Sequence, residues 1–205
     1  MNLTFNFRNF TFFSIAFILF TAIGTVSHEL GHIAIAKILG YDTKLYFDSM
    51  SYNFSDQTSK WESFLITLGG PAQTMTTGIL GLGILQYRNK KNHDRQFDLL
   101  DWFCIFLSLF WLREVFNLIM SIMSATINPE GSFFSGDEAG LALLLDLPSG
   151  TFAILFAGIG LFIGMYIIFK VIHKKDRFTF ILSGLVGGIV GFILWMNVVG
   201  PLIIN

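Results

Sequence analysis

The sequence predicts an all-α polytopic membrane protein of about five transmembrane helices, with a small membrane-associated β-hairpin as one reading of the stretch after the first helix. Two observations predict it. The 205 residues are 53% hydrophobic and only 13% charged, whereas a soluble domain carries about a quarter charged residues. The apolar residues also gather into runs long enough to cross a bilayer, which takes about 20 residues of helix. Mean hydropathy is +0.64. The formal net charge of -1 and the lack of a large basic patch exclude nucleic-acid binding. Cys104 is alone in the sequence, which excludes an internal disulfide and a cysteine-based zinc cluster.

The first run, Phe12 to Leu39, ends at Gly40, a residue suited to the left-handed conformation that stops a helix. It continues without a small-residue cleavage site, so it reads as a retained first span and not as a signal peptide. From 44 to 54 polar and apolar residues partly alternate. That pattern fits one or two short strands, or an irregular aromatic loop at the interface, and both stay open. The second run, Trp61 to Tyr87, contains Gly69-Gly70-Pro71. These residues either break the helix at membrane depth, where protein or a cavity must satisfy the freed backbone, or mark Pro71 as the first turn of a span from Ala72 to Gln86. A basic loop follows at 88–95, with His93 solvated. The third span, about Phe97 to Met123, carries Arg113, Glu114 and Asn117, of which Arg113 and Asn117 share a helix face.

An acidic connection at 124–148 comes next. Asp137 is placed to cap a short helix from Glu138 to Asp146 that stops before Pro148. The fourth span (Thr151 to Val171) and the fifth (Phe178 to Ile204) are rich in Gly and Phe, with no ionisable group in the middle, as packing or lipid-facing helices are. Residues 1–148 form a membrane core, and 149–205 add two helices to the same domain. Basic loops at 88–95 and 170–177 belong on the cytoplasmic side. Acidic loops at 40–60 and 124–148 belong outside, which puts the N-terminus in the cytoplasm; the charge pattern does not say which membrane hosts the chain, and the cell membrane is the expectation.

Within the first span lies His28-Glu29-Leu30-Gly31-His32, the spacing H-E-x-x-H. Residues i and i+4 share a helix face, so two imidazoles can reach one metal ion while Glu29 handles a proton of a metal-bound water. The competing reading is a polar seam of two His and a Glu. Lipid weighs against it, because an ionised Glu near a helix centre costs roughly 2.5–3.5 kcal/mol to insert.

These elements together resemble the site-2 protease family of intramembrane zinc metallopeptidases. The resemblance rests on His28-Glu29-Leu30-Gly31-His32, on Gly69-Gly70-Pro71, which looks like the family's Gly-Pro element, and on Asn117-Leu118 followed by Asp137. It covers roughly residues 12–148. It implies Zn2+ held by His28, His32 and Asp137, with Glu29 as the catalytic base. Two departures bear on the third ligand: Asp137 is followed by Glu138 where the family has Gly, and Asn128-Pro129-Glu130-Gly131 makes Glu130 a rival. The resemblance further implies a membrane-protein substrate drawn from the lipid bilayer, with residues 44–54 pairing to it. Two other classes fit the same residues: a membrane transporter passing metal ions or protons along His28, Glu29 and His32, and an inactive scaffold.

Overall fold

The computed structural model describes residues 4–53, 58–91, 97–127 and 132–204. Helix α1 spans Phe7–Ile38, started by Asn6, whose side chain accepts from the Asn9 amide. Its last amides fold back on Ile35 and Lys37, and Gly40 takes the positive φ of 87° that few other residues tolerate. Two strands follow, β1 (Thr43–Leu45) and β2 (Met50–Tyr52), paired antiparallel with Lys44 opposite Ser51. A tight turn joins them, Tyr46 N–H donating to Ser49 O at 2.8 Å. The alternation at 44–54 thus marks a two-stranded hairpin, although Phe54 lies outside the described residues.

Helix α2 runs unbroken from Lys60 to Lys91 with Pro71 inside it. This corrects both expectations for Gly69-Gly70-Pro71: the helix is neither interrupted there nor begun there. Pro71 removes one N–H from the ladder, and the turn stays helical because its glycines pack directly on α1. A Cβ at Gly31 would strike the backbone carbonyl of Gly69, and one at Gly69 would strike that of Gly31. Arg88 then ties α2 to the start of α3 (Leu99–Ser108), donating to Asp98 at 2.6 Å and to the buried Asp101 at 2.8 Å. Asp98 and Asp101 also form a reciprocal cap at that helix start.

A 3₁₀ turn at Leu109–Trp111 links α3 to α4 (Leu112–Ile127). The short helix α5 covers Asp137–Leu144. Helix α6 (Thr151–Tyr166) continues into a π-helical turn at Ile167–Val171. Helix α7 (Arg177–Leu194) likewise continues through a π turn at Trp195–Val199 into α8 (Gly200–Ile203). Small residues bring α7 against α1: a Cβ at Gly187 would lie 2.6 Å from the Ser14 carbonyl oxygen. The apolar core sits at this end. Phe13, Phe106 and Phe180 are buried in it, with Phe17 and Trp102 packed alongside.

Four stretches among the described residues are long and apolar enough to cross a membrane: Phe7–Ile38, Leu99–Ile127, Thr151–Val171 and Arg177–Ile203. The count is four, not the five expected. Helix α2 matches α1 in length, but Gln73, Thr74, Thr76 and Thr77 make it too polar to qualify. Two of these face protein: Thr74 is buried, and the Gln73 Cβ lies against Gly31 of α1. The assignment of loops to alternate sides, built on five spans, loses that support.

Candidate metal centre

Two elements bring three side chains to one point. His28 and His32 lie one turn apart on α1, buried at 0% and 5% exposure. Asp137 opens α5, far along the chain. Its Oδ2 lies 2.8 Å from His28 Nε2 and 3.2 Å from His32 Nε2, and the two Nε2 atoms are 3.2 Å apart. A tetrahedral ion with bonds of about 2.0–2.1 Å needs its donors roughly 3.3 Å apart. The triangle is therefore close to the right size, and the donor set could hold a metal ion.

The far side of the His32 ring fixes what its near side can do, and that of His28 is compatible with the same tautomer. His32 Nδ1 lies 2.7 Å from the carbonyl oxygen of Ile66. A carbonyl only accepts, so Nδ1 carries the proton and, in the neutral ring, Nε2 presents a lone pair. The Gly70 amide lies 3.2 Å from the same nitrogen, but it cannot donate to a nitrogen already protonated. His28 Nδ1 lies 2.9 Å from Thr74 Oγ1, a hydroxyl able to accept from it. Such outer partners hold metal-binding imidazoles in orientation. With both Nδ1 atoms protonated, two lone pairs and a carboxylate converge, an arrangement that a cation relieves. Space for it is kept by Gly70, where any Cβ would press on the Nε2 atoms of both His28 and His32.

Asp137 does not cap α5 as expected. Gly136 precedes the helix at φ 84° with no side-chain cap bond. Asp137 is instead the first helical residue, its carboxylate turned to the imidazoles. Glu130, the rival ligand, lies outside the described residues, as does His93.

Glu29 is buried at 6% and lines a cavity of about 620 Å³ together with His32, Asp137, Arg113, Asn117 and the hairpin residues Ser49 and Met50. Arg113 Nη2 stands 3.9 Å from Glu29 Oε1. Glu114 does not line this cavity: it is 1% exposed, and neither of its carboxylate oxygens has a hydrogen-bond partner among the described residues. Neighbours Arg113 and Glu114 thus serve different surroundings, as their separation of about 100° around the helix requires.

Sequence reasoning missed Thr74 and Ile66, and it weighed Gly70 for a break and not for the room it leaves. One signal was available: Gly70 and Thr74 are four apart, so they share a face of α2. Comparisons with protein-family models, curated proteins and solved structures find no match to this chain.

Proposed function

We propose that this protein is a membrane-embedded zinc endopeptidase of the site-2 type, cutting membrane-protein substrates. The observation that carries the reading is the convergence of His28 Nε2, His32 Nε2 and Asp137 Oδ2 within 3.2 Å of one another, beside an open cavity lined by Glu29. Three protein donors with a fourth position left for water is the pattern of catalytic zinc, whereas structural zinc is closed by four. Zinc bound there supplies Lewis acidity, which acidifies water and polarises a carbonyl.

The chain's own residues do the rest. Glu29 takes a proton from the attacking water and delivers it to the departing amine. Thr74 and the Ile66 carbonyl keep the imidazoles aimed. A substrate helix hides its peptide bonds in internal hydrogen bonds and has to unwind before one can be cut. The hairpin β1–β2, whose residues Ser49, Met50 and Tyr52 line the cavity, offers a strand to which the unwound segment can pair. Asn117 lines the same cavity and can hydrogen-bond that segment.

A second reading, ion passage, draws on the buried Glu114 and Glu138 near the donor set, since carboxylates at membrane depth also serve proton relays. Glu29→Gln separates the two. The peptidase reading expects metal retained and cleavage of a co-expressed membrane substrate abolished. Lost ion flux, with no proteolysis in wild type to lose, would overturn it.

A further inference from the structure

The cavity that reaches the donor set is lined by four carboxylates, Glu29, Asp48, Asp137 and Glu138, but among its lining residues Arg113 is the one Lys or Arg. A guanidinium offers five N–H donors in a planar fork. Arg113 uses them sparingly. Its Nε is buried with no hydrogen-bond partner, and its ion pair with Glu29 spans 3.9 Å, beyond hydrogen-bond length. The residue lies two positions beyond the 3₁₀ turn at Leu109–Trp111, a tighter local winding of the kind that often marks functional positions in a helix. A charge at such depth is costly, and partial attraction to Glu29 leaves most of the fork's capacity unused. Carboxylates are the groups that match a guanidinium fork two bonds at a time.

We propose that Arg113 receives the anionic oxygen of whatever ligand occupies this cavity. The simplest such ligand is a peptide carboxylate. Where the peptidase reading above holds, the same fork receives the oxygen that becomes negative during hydrolysis. In that step the water oxygen bonds to the carbonyl carbon, the C=O π pair moves onto the carbonyl oxygen, and a water proton goes to Glu29. The C–N bond then breaks as the oxygen's pair re-forms the double bond. The C–N electron pair stays on the amine nitrogen, which takes the proton from Glu29, leaving a carboxylic acid and an amine. Preorganised donors aimed at such an oxygen commonly contribute about 10²–10³ in rate.

The test uses the full chain in detergent, loaded with Zn2+, and two probes: an N-acetylated trileucine ending in a free carboxylate, and the same peptide ending in an amide. Calorimetry is expected to show wild type binding the carboxylate form roughly 10–100-fold tighter. Arg113→Gln should abolish that difference at unchanged zinc content. Arg113→Lys keeps the charge but loses the fork, and should retain only part of it. A wild type with no preference overturns the proposal. So does a preference surviving in Arg113→Gln, which would trace it to the metal alone, or Arg113→Lys equal to wild type. A wild type that prefers the carboxylate yet cleaves nothing removes the peptidase reading and leaves the anion site standing. Cleavage that depends on Glu29 without any carboxylate preference does the reverse.

Discussion

The two halves of α1 do opposite things with burial. The N-terminal half buries rings: Phe13 sits 4.6 Å from Trp102 and 5.2 Å from Phe180 between ring centroids, and Phe17 lies 5.0 Å from Phe106. The C-terminal half buries Thr25, His28, Glu29 and His32. One helix thus carries both the packing that joins it to α3 and α7 and the polar groups that membrane depth penalises. The first half needs no particular partner chemistry, since any well-fitted apolar surface serves. The second half is held by specific atoms: Thr74 Oγ1, Ile66 O and Asp137 Oδ2. The polar groups that could bind a metal are concentrated in the second half, beside the close glycine contacts with α2.

Substitutions can break or sharpen this contrast. The largest effect is expected from Glu29→Gln, which should lower cleavage by roughly 10²–10⁴, the range of a lost acid–base group, with zinc content unchanged by metal analysis. Thr74→Val keeps the shape and removes the oxygen facing His28. Metal affinity should fall about 10–100-fold, as for other partners of ligating histidines, when measured by competition with a chelator. Phe13→Ala tests the other half. It should cost roughly 1–3 kcal/mol in unfolding, below the soluble-core range because lipid supplies no transfer gain, while metal affinity stays put. The smallest effect belongs to Lys60→Ala at the exposed 2.8 Å pair with Asp146, expected to change thermal stability by under about 1 kcal/mol. A Phe13→Ala variant that lost its metal would erase the distinction between the halves.

What the sequence disclosed follows from how local each feature is. The helical i, i+4 spacing put His28 and His32 on one face without any knowledge of the fold. Helix ends at Gly40 and before Pro148, and the alternation at 44–54, were equally local. Asp137 was found only through resemblance, and its expected role as a cap was wrong, because Gly136 at positive φ makes the turn and frees the carboxylate. The polarity of α2 was also misread. Its glycines and threonines look like a break or a plain span in one dimension, but become contacts to α1 once the helices pack. Gly70, Thr74 and the Ile66 carbonyl matter through distances to another helix, and no single stretch of sequence encodes those.

The most direct measurement is metal content, by elemental analysis of purified wild type beside Asp137→Ala, Glu130→Ala and Glu29→Gln. The account predicts one zinc per chain in wild type, in Glu130→Ala and in Glu29→Gln, and little or none in Asp137→Ala. Full zinc in Asp137→Ala, or its loss in Glu130→Ala instead, would contradict it.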